Sequence, residues 1–338
     1  MNVLVLGGSG YIGKHLLHVL SASSRVRATG ASRRAVTPQG HDAAPWLQVD
    51  TRNLAALTQA IKGFDAVINC VAGDARSIAE GARLLTEAAR AAGMPRLVHL
   101  SSMSVYGAAE GRVDESAALD PSLGWYGRAK CEAENHMAAY AAQGGSVVML
   151  RPGCVYGPGS ELWVGRIGRW LRAGRLGDLG EAGDGWSNLV HVDDVCAALL
   201  ATLNAPFPQD TPVVFNLSAP DSPRWNNYFV DLALAIGATP VRRLGMRQLK
   251  LDAFLGGPPL KLVQRGLGYL KLPTRALPDP MAPGLLRLWA QQLQLDSQHA
   301  SSELGVQWTP YAQGLQSAAD DFIRAHPHPN ASLMRKTV

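Results

Sequence analysis

Through the first half of the chain, short apolar runs alternate with stretches whose apolar positions recur at helical spacing. That alternation is the signature of a parallel sheet covered on both faces. The apolar runs predict strands at 3–6, 26–29, 46–49, 66–70, 97–101 and 147–150, with helices at 12–20, 54–61, 78–92 and 126–141. Six strands in crossover order make the expected fold α/β, a doubly wound parallel sheet. Beyond Arg151-Pro152 the pattern turns irregular, with glycine- and proline-rich joints, before a core-helix pattern at 191–203 and a buried-strand pattern at 213–217. A smaller C-terminal domain, interleaved with the first, is therefore expected. The first domain takes 1–155 with 186–218 returning to it, the second takes 156–185 and 219–330, and 331–338 is a tail.

Composition narrows the class. At 338 residues, 47% hydrophobic and 17% charged, the chain is long and apolar enough to bury full cores and is not a disordered polymer. Its net charge of +5 is too mild to argue for nucleic acid, which is not expected as a partner, and suits an anionic cofactor. Cys70, Cys131, Cys154 and Cys196 lie far apart, so reduced thiols and no metal are expected, as in a cytoplasmic protein. The chain opens on an apolar strand with no basic leader, and no apolar run reaches membrane-spanning length. One segment stands out. Residues 241–293 carry nine Lys/Arg against Asp252 and Asp279, a local charge of +7. A solvated helical lid is favoured there; the alternative is a basic amphipathic contact with a membrane surface through 241–290.

The candidate chemistry begins after the first strand, with Gly7-Gly8-Ser9-Gly10-Tyr11-Ile12-Gly13. Glycines there let backbone amides approach a pyrophosphate at a helix N-terminus, which makes Gly7, Gly10, Tyr11, Ile12 and Gly13 candidate dinucleotide ligands. At the end of the second strand, where an NAD site usually carries a carboxylate, the chain reads Ser32-Arg33-Arg34. A hydroxyl and two guanidinium groups suit a 2′-phosphate, so the expected cofactor is NADP(H) in preference to NAD(H). Asp50 is either an acceptor for the adenine amine or the cap of the helix that follows. Serines just past the fifth strand stand where open α/β sheets bind ligands. Tyr126 and Lys130, one helical turn apart, form an acid–base pair if the ammonium stabilises the phenolate.

Taken with Ser102-Met-Ser-Val-Tyr-Gly107, the Tyr126-Gly-Arg-Ala-Lys130 run, Arg151-Pro-Gly-Cys-Val-Tyr-Gly157, Leu189-Val-His-Val-Asp-Asp194 and the closing Leu304 to Pro310, the chain resembles the extended short-chain dehydrogenase/reductase family, also called the NAD-dependent epimerase/dehydratase family. The resemblance implies a Rossmann-type first domain binding the dinucleotide and a C-terminal domain binding a small-molecule substrate. It assigns Ser102, with Ser104 as fallback, to orienting a carbonyl, Tyr126 to acid–base work, and Lys130 to holding the nicotinamide ribose and lowering the tyrosine pKa. Val71, Ala72 and Gly73 would pass close to the cofactor, and Pro152 and Val155 would line its nicotinamide pocket. It also implies a homodimer paired through the helix at 126–141, and a structural role for His191. Members acting on nucleotide sugars commonly have asparagine where Cys154 stands and arginine where Ser187 stands. A supporting asparagine also lacks a counterpart, the nearest residue being Ser77. The expected activity is therefore NADP(H)-dependent interconversion of a ketone and a secondary alcohol on a relatively apolar or biosynthetic-intermediate substrate. The alternatives are a nucleotide-sugar epimerase or dehydratase with tightly held NAD, and a cofactor-binding regulator without turnover. Arg166, Arg169, Arg172 and Arg175 are read as a second anionic site or a solvated face, and Trp163, Trp186, Trp225 and Tyr228 as pocket walls or core.

Overall fold

The structure, a computed structural model, describes residues 1–36, 44–269 and 278–327. The tail at 331–338 and, from the basic segment, Lys271 and Arg275 lie outside the described residues. The chain divides into two compact units.

The first unit is built on a seven-stranded parallel sheet. Its strands are β1 (Asn2–Leu6), β2 (Arg27–Ser32), β3 (Trp46–Gln48), β4 (Ala66–Asn69), β5 (Arg96–Leu100), β6 (Val147–Pro152) and β7 (Val213–Leu217), in the spatial order β3-β2-β1-β4-β5-β6-β7. The sheet is thus one strand wider than the six-strand expectation, because 213–217 pairs with β6 at its edge. Side-chain alternation explains why both faces are covered. Val3 and Val5 enter one core with Ile68, Val98 and Leu150, against helix α1 (Tyr11–Ser21) and the helix Val192–Asn204. Leu4 and Leu6 enter the other with Val67, Leu97 and Met149, against α2 (Leu54–Ile61), α3 (Ala75–Ala91) and α4 (Trp125–Ala141).

Capping decides where two helices begin. Asn53, not Asp50, caps α2 by accepting a hydrogen bond from Ala56 N at 3.1 Å. Asp50 instead accepts from the backbone and side chain of Arg52. The predicted helix at 78–92 starts earlier, at Ala75, because Asp74 accepts from Ser77 N at 2.7 Å and satisfies its first turn.

The first unit comprises Met1–Val155, Val190–Pro220 and Leu295–Thr309. The last stretch corrects the expected boundary, which left 295–309 in the second domain. Polar contacts hold it: Ser218 N donates to Ser297 Oγ at 2.8 Å, and Asp194 accepts from the Thr309 hydroxyl and amide at 2.6 and 3.0 Å. Residues 186–189 likewise group with the second unit. That unit has an aromatic core of its own, in which Trp225 packs on Phe229, Phe229 on Trp289 and Trp289 on Trp170. No helix among the described residues is long and apolar enough to cross a membrane.

Candidate active site

In the strand order the direction of winding reverses between β1 and β4, which leaves a crevice at the carboxyl ends of those strands. The glycine turn follows β1 there, closed by a Gly10 N to Gly7 O hydrogen bond of 2.9 Å. Gly13 is indispensable to its shape: a Cβ at that position would stand 2.4 Å from Gly7 O and 2.8 Å from Gly8 Cα. The first turn of α1 can therefore press against the loop, leaving Gly10, Tyr11 and Ile12 at the helix N-terminus. That cradle fits a pyrophosphate.

At the end of β2, Ser32 Oγ hydrogen-bonds Ser9 Oγ at 3.1 Å and accepts from Arg34 N at 3.3 Å, which ties the strand end to the glycine turn. Arg33 and Arg34 are exposed and make no salt bridge among the described residues. The Arg52 side chain, 3.0 Å away, holds the Asp50 carboxyl below its usual range, so Asp50 remains an anionic acceptor. Val71 N donates to the buried Asn69 Oδ1 at 3.1 Å, which shapes the turn through Ala72 and Gly73. Pro152 closes β6, and Val155 follows it, buried.

Ser102 caps the short turn Met103–Tyr106, accepting from Ser104 N at 3.2 Å. Its hydroxyl stands near enough to the Tyr126 phenol to favour the ionised form. Gly127 makes this approach possible, since a Cβ there would sit 2.7 Å from Ser104 O and hold α4 away from the serine turn. Ser104 Oγ is buried without a hydrogen-bond partner, so the tyrosine is matched with Ser102 rather than Ser104.

The lysine behaves differently from expectation. Lys130 is 3% exposed and Nζ donates to Leu100 O at 2.7 Å, while lying 5.9 Å from the centre of the Tyr126 ring. Burial pushes its own pKa down to about 8. Tyr126 is not lowered by it: burial raises the phenol, the nearby Ser102 hydroxyl opposes that rise, and the adjacent Cys154 thiol adds to it. The physical reason is that the ammonium is desolvated and turned to a backbone carbonyl. A phenol held neutral is a proton donor, and with a serine hydroxyl beside it the pair can protonate a carbonyl oxygen.

Beneath this pair lies a buried network with no role in the sequence-based expectation. Ser101 Oγ donates to Glu134 at 2.5 Å, Arg151 grips both oxygens of Glu134 at 3.0 and 2.7 Å, and Arg151 Nη1 reaches Tyr106 Oη at 2.8 Å. Tyr106 in turn donates to Asn216 on β7 at 2.6 Å. Burial disfavours the charge on Arg151, but its hydrogen bonds to Glu134 prevail and hold the guanidinium pKa above its usual value. A second pair, Asn69 and His99, joins β4 to β5 through Asn69 Nδ2 and His99 Nδ1 at 3.1 Å. Burial first, and then the Lys130 charge, keep His99 neutral. Glu134 and Arg151 stand inside recognisable motifs; only their contact was invisible. Nothing in the sequence singles out Asn69 and His99.

Other candidates resolve into structure. His191 caps the helix Val192–Asn204 by accepting from Asp193 N at 3.4 Å. Ser187 is fully buried, donating to Pro223 O at 2.5 Å and paired with Ser222 Oγ at 3.0 Å. Ser77 is buried in the first turn of α3. Arg169 pairs with Glu161 and Asp279, Arg175 pairs with Asp252, and Arg172 lies over the Phe322 ring, so these three do not form a free anionic site. Arg166 stacks on Trp170. Trp225 and Tyr228 are fully buried core, not pocket walls, while Trp163 packs on Trp225 and Trp186 lies under Arg224. The four cysteines are free, and no cluster among the described residues could hold a metal.

The model of the NAD-dependent epimerase/dehydratase family matches residues 3–218. Among curated proteins, protein YeeZ of Escherichia coli (strain K12) is 30% identical over 254 residues, covering 71% of this chain and 86% of that protein. The 4-hydroxy-2-methyl-3-oxo-4-farnesyl-3,4-dihydroquinoline-1-oxide ketoreductase of Stigmatella aurantiaca is 27% identical over 339 residues, covering 94% and 95%. Among solved structures, MoeE5 in complex with UDP-glucose and NAD has a TM-score of 0.70 at 25% identity, covering 96% of this chain and 99% of that one. With the glycine cradle, the Ser102–Tyr126 pair and the buried Lys130 all built on one doubly wound sheet, the chain belongs to the NAD-dependent epimerase/dehydratase family and is an NAD(P)-dependent enzyme of that type.

Proposed function

We propose that this protein is an NADP(H)-dependent oxidoreductase that interconverts a ketone and a secondary alcohol on a comparatively apolar substrate. The observation that carries the reading is the placement of Tyr126 in the first turn of α4, which Gly127 lets pack against the turn capped by Ser102, with the buried Lys130 Nζ 5.9 Å from its ring centre. In the reducing direction Ser102 holds the carbonyl oxygen and Tyr126 gives it a proton; in the oxidising direction the phenolate takes the alcohol proton back. A bound nicotinamide supplies or accepts the hydride. Gly7, Gly10, Tyr11, Ile12 and Gly13 would hold the pyrophosphate and Asp50 the adenine amine. Val71, Ala72, Gly73, Pro152 and Val155 would bound the nicotinamide half, with Lys130 at its ribose.

Preference for NADP(H) is supported by Ser32, Arg33 and Arg34, where two exposed guanidinium groups stand and no carboxylate does. The apolar substrate is supported by Ser187 and Cys154. Where nucleotide-sugar enzymes of the family commonly place an arginine and an asparagine, this chain has a fully buried hydroxyl and a thiol that burial keeps protonated. The Stigmatella aurantiaca relative, a ketoreductase whose named substrate bears a farnesyl chain, is in keeping with that reading.

The test is a panel of ketones and secondary alcohols with NADPH and NADH. Turnover with NADPH is expected, and Arg33→Ala with Arg34→Ala lowers kcat/KM for NADPH by about tenfold or more, the worth of a charged hydrogen bond, while sparing NADH. Equal efficiency with both cofactors would overturn the NADP(H) assignment. Turnover confined to UDP- or dTDP-sugars, with NAD retained through purification, would replace the reaction itself.

A further inference from the structure

Between Met246 and Tyr269 the second unit carries a nearly unbroken helical stretch, Met246–Lys250, Leu251–Gly256 and Gly257–Tyr269. Twelve large apolar side chains are exposed among the described residues, and six of them, Met246, Leu251, Phe254, Leu255, Leu262 and Val263, fall within residues 246–263. The other six are scattered from Met1 to Ile323. Single exposed apolar residues are ordinary, whereas a cluster marks a surface with a partner. Leu255 and Leu262, 68% and 70% exposed, are the most exposed of the twelve.

The charges interleaved with this cluster identify the partner. Arg247, Lys250 and Lys261 are exposed on the same stretch. Its single acidic residue, Asp252, is turned inward and accepts both hydrogen bonds of Arg175, at 2.9 and 2.6 Å. The exposed charges of residues 246–263 are therefore all cationic and stand among the exposed apolar side chains. A second copy of this chain is a poor occupant, because a two-fold contact would set these cations against themselves. An anionic lipid surface satisfies both features: apolar side chains enter the acyl boundary while Lys and Arg remain among the headgroups.

The geometry points to residues 246–263 as a shallow, in-plane anchor on anionic membranes. The stretch lies on the bilayer rather than across it, since no described helix is long and apolar enough to span one. Nothing in this assignment depends on which reaction the enzyme performs.

The test is co-sedimentation with phosphatidylcholine vesicles, with and without phosphatidylglycerol, at low and high salt. The protein is expected to pellet with the phosphatidylglycerol vesicles and to be released by salt. Phe254→Ser with Leu255→Ser, and separately Arg247→Glu with Lys250→Glu, each lower the bound fraction at least about tenfold. Leu234→Ser, equally exposed but on the helix Trp225–Ala235, leaves it unchanged. All of these side chains are exposed, so each variant keeps the wild-type thermal transition. Failure to pellet with phosphatidylglycerol vesicles, or binding by the Phe254/Leu255 variant equal to wild type, overturns the proposal. A wild-type dimer in light scattering that this variant converts to monomer also overturns it, by giving the surface to a second copy.

Discussion

Lys130 is the residue whose removal makes the sharpest physical demand on this fold. Its ammonium is 3% exposed, hydrogen-bonded to Leu100 O, and displaced from 10.5 to about 8 by burial. The folded pKa therefore lies below the unfolded one. Between about pH 8 and 10.5 the unfolded chain binds more protons, so stability rises with pH across that window; below it the folded protein bears the full cost of a desolvated charge. At ~1.4 kcal/mol per pH unit that cost is roughly 3 kcal/mol. Lys130→Met removes the charge and keeps most of the buried stem, at the expense of the Leu100 hydrogen bond, worth ~1 kcal/mol. The variant should be more stable than wild type by about 2 kcal/mol at neutral pH, and less stable by ~1 kcal/mol once wild-type Lys130 is neutral. Urea unfolding of cofactor-free protein, followed by tryptophan fluorescence at neutral pH and near the upper end of the window, measures both differences. A gap between the two proteins that is the same at both pH values would refute the reasoning. Agreement would show a buried charge retained against stability, as functional sites commonly do.

The other expectations concern the frame around the pair. Gly127→Ala puts a methyl group 2.7 Å from Ser104 O, so α4 must withdraw from the serine turn. kcat should fall by about two orders of magnitude, with a loss of stability of roughly 1–3 kcal/mol from the overpacked contact, and an unchanged kcat would show that the close contact does not align Tyr126 with Ser102. Arg151→Met leaves the Glu134 carboxylate buried and unpaired, which costs about 3–5 kcal/mol, whereas Glu134→Leu combined with Arg151→Met should recover most of the loss. A double-mutant cycle by thermal denaturation decides this, and a single variant as stable as wild type would remove the ion pair from the account of the fold.

What the sequence disclosed follows from how far apart the interacting residues stand. The strands and helices of the first unit could be read because alternation and helical spacing are local, and the helix 54–61 and the strand 213–217 were bounded as the structure has them. Tyr126 and Lys130 could be paired for the same reason, one helical turn separating them. Their electrostatic relation could not, because it depends on burial and on the Leu100 carbonyl thirty residues away. The Glu134–Arg151 grip and the Asn69–His99 bond join residues on different elements, and no spacing rule reaches them. Asp50 and Asn53 are both good caps in the same loop, and only the backbone path chooses between them. Thr309 and Asp194 are 115 positions apart, so no local pattern ties the closing segment to the first unit.

That closing segment also sets an order of events during synthesis. The first unit needs Leu295–Thr309, yet those residues leave the ribosome after most of the second unit has been made. A nascent chain ending before residue 295 presents a seven-stranded sheet whose Ser218 amide lacks its Ser297 partner and whose Asp194 carboxylate is left without Thr309. The dinucleotide-binding unit, first to emerge, is thus completed only after most of the second unit has been made. Fragments that stop at the apparent end of the strand pattern, or truncations that trim the C-terminus as if it were an appendage, should expose unpaired polar groups rather than release an independent module.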